Sequence, residues 1–373
     1  MLLLTWKTYY SISSLPSDIW NINISSKEFG LDERFMKVVE KIHSSDKFYY
    51  CLAFNEKNKI VGIAFFYTTL YDLIRNSDEQ FKHIFSIVRK LYPSFFKLPI
   101  GMIATFETYG RHFWYNSEVL TYEEFVGSFL VHIAKEDKNF KIIVLRDYID
   151  TSLLAEKNIQ NELSVNQNFG FINIETFPIV KVLFRSNLKP DEYIYDLKSK
   201  NRSYINKIIR ERVSAGLTVH IIEDYLPFLE DIYDLYLNVN NNAKEFRTDC
   251  LPKDFFLEIK QQFGEDAKII AIKDSEEKII AFTLLLDCQY VMIPYLIGLD
   301  YTCNRTFNLW YHCVWESIIY SAKCGKQIVD LGVTNYSMKR KLGATLFPMN
   351  ISIRIRNNVL NQIFKPILPM LAK

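Results

Sequence analysis

A chain of 373 residues has room for two domains of ordinary size, and its 28 phenylalanines and 23 tyrosines can fill large cores. With 45 Lys and Arg against 43 Asp and Glu, the net charge of +2 does not by itself point to a polyanionic partner. No run of about 18 apolar residues marks a membrane-crossing helix, and the opening MLLLTWK lacks the basic leader and long apolar stretch of a signal peptide.

In chain order, a helix is expected around 32–44. YYCLAFNEKNKIVGIAFFY (49–67) then reads as an apolar strand, a polar turn and a second apolar strand, the pattern of a β-hairpin. A strand at 97–107, a helix at 122–136 and the strand KIIVLRD (141–147) follow. Polar residues around Pro190 make 186–200 a connection. The next stretch, 198–212, carries six basic residues against the single acid Glu211. As a helix it buries Ile205, Ile208, Ile209 and Val213, and it gathers Lys200, Lys207 and Arg210 on roughly one other face. Such a face suits tRNA phosphates, the acidic helix of a carrier protein or a phosphorylated acceptor; it equally suits plain solvation.

KIIAIKDSEEKIIAFTLLL (268–286) repeats the first hairpin, with Lys59-Ile60-Val61-Gly62 matching Lys278-Ile279-Ile280-Ala281. Repeats this far apart imply two copies of one domain, because solenoid periods are much shorter. QYVMIPYLIGLDY (289–301) is a strand interrupted by Pro294 and closed by Gly298, which implies an edge or a bulge. A helix at 304–323 capped by Gly325, the strand KQIVDLG (326–332) and the strand NISIRIR (350–356) complete the order. The expected fold class is α/β with mixed sheets, in two domains, 1–185 and 186–373.

DLGVTNYSMKRKLGATLFP (330–348) places a tyrosine and several cations just past a strand end, where open α/β sheets bind ligands. A tyrosine hydroxyl at Tyr336 can protonate a leaving group, and Lys339 and Lys341 can hold an anion. Asp330 can act as a base or cap the turn. Histidines 43, 83, 112, 132, 220 and 312 show no metal-ligand spacing, so no metal is expected. The six cysteines form no CxxC pair and read as reduced thiols of a cytoplasmic protein. No Walker loop, GxSxG or Rossmann glycine pattern occurs. The tail LNQIFKPILPMLAK, broken by Pro366 and Pro369, could touch a membrane or an acyl chain; packing on its own domain is the expectation.

The second half resembles the GNAT N-acyltransferase fold. The duplication resembles the tandem-GNAT group around the Fem aminoacyltransferases and related peptidoglycan-biosynthesis-like acyltransferases. The resemblance rests on the hairpin at 268–286, the bulged strand at 289–301 running into a helix, the basic segment at 197–219, and Gly332-Val-Thr-Asn-Tyr336-Ser-Met-Lys339-Arg-Lys-Leu-Gly343-Ala344. It implies transfer of an acyl or aminoacyl group from a carrier to a primary amine, with the second domain active and the first shaping the acceptor cleft. In that reading Tyr336 and Asp330 are catalytic. Lys339, Lys341, Arg202, Lys200, Lys207 and Arg210 bind substrate, and Pro294 and Gly298 mark a splayed strand whose backbone donors serve the oxyanion. No tightly bound cofactor is implied; the donor is a co-substrate, namely aminoacyl-tRNA, acyl carrier protein or acyl-CoA. One departure stands out. Acetyl-CoA-dependent members carry an Arg/Gln-x-x-Gly-x-Gly/Ala loop that cradles pyrophosphate at a helix N-terminus. The matching DYTCNRTFNLW has no glycine, which favours tRNA or a carrier protein. It also fits a catalytically silent GNAT-fold binding protein.

Overall fold

The computed structural model describes residues 4–22, 29–72, 86–95, 97–149, 159–243 and 250–371. They gather into two units, one built from 1–176 with 348–373 and the other from 177–347.

The first unit contains β1 (Thr5–Tyr9), α1 (Glu33–Ile42), β2 (Lys47–Phe54), β3 (Ile60–Asp72), β4 (Lys97–Ile103), β5 (Phe113–Tyr115), α2 (Tyr122–Glu136), β6 (Ile142–Ile149), α3 (Gln160–Asn168) and the start of β7 (Ile172–Leu183). Its sheet runs β1-β2-β3-β4-β6, then the strand Thr345–Ile355, then β7, with β5 on β3. β2 is buried from Phe48 to Ala53 without alternation, as expected of a strand covered on both faces. α2 starts where Thr121 and Glu124 satisfy each other's backbone N–H groups in a capping box. It then buries Phe125, Phe129 and Ile133 in one cluster with Tyr49, Phe66 and Phe113 of the sheet.

The second unit contains the rest of β7, α4 (Ser199–Ser214), β8 (Thr218–Ile222), α5 (Leu229–Asn242), α6 (Lys253–Phe263), β9 (Ala267–Lys273), β10 (Ile279–Cys288), β11 (Val291–Leu299), α7 (Tyr301–Phe307), α8 (Leu309–Lys323), β12 (Ile328–Asp330), α9 (Tyr336–Lys341) and the start of β13 (Thr345–Ile355). Its order is β7-β12-β11-β10-β9-β8. The duplication is plain in the topology. β2-β3-β4-α2-β6 and β9-β10-β11-α8-β12 each make an antiparallel hairpin, a third antiparallel strand, a helix and a parallel fourth strand.

Three expectations need correcting. The chain leaves the first unit within β7 and returns to it within β13, so 177–185 lies in the second unit and 348–373 in the first, against the expected blocks 1–185 and 186–373. Composition marks linkers such as the one around Pro190, but a crossing inside an apolar strand leaves no such mark. The single helix expected at 304–323 is two, because Asn308 adopts the left-handed conformation with φ 54 between α7 and α8. The tail, expected to pack on its own domain, does not: α10 (Asn358–Phe364) buries only Asn361 and leaves its apolar residues exposed; 372–373 lie outside the described residues.

Candidate functional site

β11 pairs with β10 along its whole length, slipping by one residue at Tyr295: Leu284 faces Leu296 and Leu285 faces Pro294. Against its parallel neighbour β12 it pairs only at Val291↔Ile328 and Met292↔Val329. Below these, Tyr290 O accepts from Gln327 N at 2.9 Å and Ile328 N at 3.2 Å. Beyond them the strands part. The chain after β12 stays with β7, Leu331 N donating to Val180 O at 2.8 Å and Val180 N to Gly332 O at 2.9 Å, while β11 follows β10. From Ile293 onward no described strand faces the β12 side of β11. The first unit differs, since β4 and β6 stay paired from Ile100↔Ile142 to Ile103↔Leu145, the end of β4.

Of the two residues expected to mark the splay, Pro294 sits beside the slip, where a missing N–H is tolerated. Gly298 has a packing reason. A Cβ there would lie 2.1 Å from the Phe282 ring and 2.9 Å from the Leu235 backbone, so glycine lets α5 seat on the strand.

The segment after β12 turns sharply, with positive φ at Gly332 (66), Thr334 (65) and Asn335 (50). A β-branched residue in that region is strained, and such strain concentrates at functional sites. Asp330 shapes the turn: its Oδ1 accepts from Gly332 N at 2.9 Å and its Oδ2 lies 3.4 Å from Lys181 Nζ. Lys339 is not a solvated loop cation. It is 5% exposed, and its Nζ donates to Leu331 O and Val333 O, each at 2.6 Å. Burial pushes its ammonium down from 10.5 to about 8, with the Asp330 charge opposing. Tyr336 is half-buried and packs, with Met338 and with Ile297 of β11, on the cluster that holds Tyr311, Val314 and Leu331. Lys341 points away from this core and is exposed. The structure therefore brings Tyr336, Lys339 and Asp330 to the parting strands and leaves Lys341 outside.

In α4 Ile205 and Ile208 are buried as expected and Ile209 is half-buried, but Val213, in the last turn, is exposed and does not belong to the stripe; the cations of the helix divide. Lys207 and Arg210 line an open groove of about 560 Å³ together with Glu211, Ser214, Ala215, Thr306 and Phe307. Lys207 pairs with Glu211 at 3.6 Å, and Arg210 Nε donates to Asn206 O at 3.3 Å. Lys200 is exposed elsewhere on the helix, and the Arg202 guanidinium lies 5.7 Å from the Tyr195 ring centroid. Sequence reading missed the pair that fixes α4 to α8, Arg212 with Glu316. It also missed His312 beside that pair, fully buried and pushed down to about 4 by burial and by Arg212. These meet over about a hundred residues of chain, which periodicity cannot detect.

The start of α8 is the place at which the resemblance to acetyl-CoA-dependent members leads one to expect a pyrophosphate loop. Here Asp300 caps α7 by accepting from Thr302 N at 2.9 Å, and Asn304 Oδ1 accepts from Trp310 N at 3.2 Å. A helical turn and its side chains occupy the place of the loop, and one first-turn amide of α8 is already used. Among the described residues no group of three or more His, Cys, Asp or Glu could hold a metal; His83 lies outside them. Nor is any described helix long and apolar enough to cross a membrane.

No family model matches the chain. Two Mycobacterium tuberculosis proteins, from strains CDC 1551 / Oshkosh and ATCC 25618 / H37Rv, are each called putative 8-amino-7-oxononanoate synthase 2. They are 20% identical to it over 326 residues, 86% of this chain and 41% of theirs. The chain thus spans 41% of the length of these curated relatives. Among solved structures, FemX superposes with a TM-score of 0.64 at 12% identity, over 96% of this chain and 100% of FemX. A tandem GNAT protein from the clavulanic acid biosynthesis pathway gives 0.55 at 8% identity, over 95% and 98%. L-PGS from Bacillus licheniformis gives 0.52 at 11% identity, over 92% and 97%. The fold is therefore α/β with two GNAT-like domains in tandem, similar to the Fem group.

Proposed function

We propose that the chain is an N-acyltransferase that moves an acyl or aminoacyl group from a carrier to a primary amine, with its reacting groups in the second unit. The observation that carries this reading is the parting of β11 from β12 beside Tyr336 and Lys339. A strand edge that no described strand covers can offer backbone N–H groups to the opening, and such fixed donors suit the oxyanion of an acyl-transfer intermediate. Held there, the donor carbonyl is attacked by the neutral amine. The new C–N bond forms, the C–O or C–S bond to the carrier breaks, the amine loses a proton and the leaving group gains one. Tyr336 is the group that gives the leaving oxygen or sulfur its proton. Lys339 holds the carbonyls of Leu331 and Val333 and sets a positive charge beside the opening. Asp330 serves the turn, its oxygens engaged with Gly332 N and Lys181.

The donor is aminoacyl-tRNA or an acylated carrier protein rather than acyl-CoA, because α7 stands in place of a glycine-rich pyrophosphate loop. Lys207 and Arg210 in their groove, with Lys200 and Arg202 on the same helix, take the carrier's anionic part. The first unit contributes to acceptor selection. A cytoplasmic location follows from such donors.

The test is a panel of charged tRNAs, acylated carrier proteins and acyl-CoAs, each incubated with an amine library and followed by mass spectrometry. Amide formed from a tRNA or protein carrier and lost in Tyr336→Phe supports the proposal. Carrier binding without amide from any donor makes the chain a silent binding protein instead.

A further inference from the structure

We infer that α10 and the basic residues around it form a docking surface for an anionic lipid bilayer. The helix is amphipathic in the reverse of the usual sense. Its polar side faces the protein: Asn361 is buried, accepts from Ile355 N at 2.9 Å and donates to Gly170 O at 2.9 Å, while Asn357 accepts from Leu360 N at 3.1 Å. Its apolar side faces solvent. Val359 is 69% exposed, Ile363 53% and Leu360 45%, and Phe364 and Ile367 are exposed beside them. One exposed leucine needs no explanation. Four apolar residues of the helix at i, i+1, i+4 and i+5 share a face, with Ile367 exposed in the turn just beyond it, and a contiguous patch of that kind marks an interaction site.

The surrounding charge selects the partner. After Asp330 the sequence contains no Asp or Glu, and Arg356 and Lys365 flank the helix. Lys138 and Lys141 are exposed nearby, with Arg356 N donating to Lys141 O at 2.9 Å. The Arg356 guanidinium lies over Phe140 at 4.8 Å and is held near Asp137 O, and Asp137 itself is buried under Tyr49. An apolar centre ringed by cations matches the acyl boundary and phosphate layer of a membrane. A second copy of the chain would bring the same cations against each other, which disfavours self-association. The helix is seven residues long and is followed by Pro366, so it lies along a bilayer rather than across it.

Flotation of the full chain with vesicles tests this. Binding is expected to phosphatidylcholine vesicles containing phosphatidylglycerol. It should be at least about tenfold weaker to pure phosphatidylcholine, and weaker again in high salt. Val359→Glu/Ile363→Glu should abolish it with an unchanged melting temperature, since both side chains are exposed, and Lys138→Glu/Lys141→Glu/Lys365→Glu should reduce it by about tenfold or more. No binding to any vesicle, or full binding by the Val359/Ile363 variant, overturns the inference. So does a self-association that sedimentation detects and that the same variant removes, because the face then belongs to a second copy.

Discussion

Lys339 donates from its ammonium to the carbonyl oxygen of Leu331 at 2.6 Å. Leu331 is the first residue past β12, where the chain stays on β7 after its pairing with β11 has ended. A second bond reaches Val333 O, so one buried cation ties the short helix α9 to the exit of β12. The opening between the strands and the strained turn above it are thus held by a group with a titratable charge.

The charge makes a stability prediction with a definite sign. The folded-state value of Lys339 is about 8, below its ordinary 10.5. Below pH 8 both states carry the proton and the fold bears the whole cost of the buried charge. Between 8 and 10.5 the unfolded chain keeps the proton and the folded chain releases it, so this group's contribution to stability rises with pH. Urea unfolding of wild type and Lys339→Met should show a difference that shifts toward wild type across that window, by on the order of 3 kcal/mol at most. A pH-independent offset of about 1–3 kcal/mol should remain for the two carbonyls that methionine cannot satisfy. A difference that stays flat from pH 7 to pH 10.5 would show that the ammonium is not perturbed.

Gly298→Ala should destabilise the second unit by about 1–3 kcal/mol, through overpacking against Phe282 and the Leu235 backbone. Thermal unfolding reads it directly. If the variant melts with wild type, the strand has room that the contact distances deny.

Much of this fold was legible in the sequence, for physical reasons that also explain the rest. The two hairpins announce themselves by apolar runs and polar turns, which are local signals, and the helix expected at 122–136 has those bounds, Tyr122–Glu136. The turn at 332–335 was flagged by residue type, yet its tie to Lys339 was not. A Lys-Arg-Lys run reads as solvated, and only the tertiary carbonyls of Leu331 and Val333 make burial of its first lysine tolerable. The left-handed break at Asn308 looked like one continuous helix because the apolar stripe runs through it. Arg212 lies about a hundred residues from His312 and Glu316, which are neighbours on α8, and nothing in the local pattern of either stretch names the other.

Tyr336→Phe removes one hydroxyl from a half-buried ring that keeps its packing beside Met338 and Ile297. Stability should change by less than about 1 kcal/mol. The rate of amide formation should fall by roughly 10²-fold if the hydroxyl is the general acid. The informative result is a normal melting temperature with a slow enzyme. Full activity in this variant would move the proton donor elsewhere in the opening.

The groove at α4 separates a carrier-binding face from a merely solvated one. Lys207 and Arg210 converge there beside the apolar floor of Ala215 and Phe307, whereas Lys200 stands on the same helix outside the groove. If the groove takes an anionic carrier, Lys207→Glu/Arg210→Glu should weaken carrier binding by at least about tenfold, and wild-type affinity should fall steeply with salt as phosphate-bound counterions are released. Lys200→Glu should cost clearly less, because a single exposed charge far from the contact acts only through a screened field. The rate from a saturating donor should be unchanged in both variants, since a charge that binds ground state and transition state alike alters affinity and not turnover. Titration of each variant with charged tRNA and with an acylated carrier protein, at two salt concentrations, measures both effects. Equal losses from Lys200→Glu and from the groove pair would mean that the carrier reads the net charge of the helix and not the groove. No loss in either would leave α4 a solvated face.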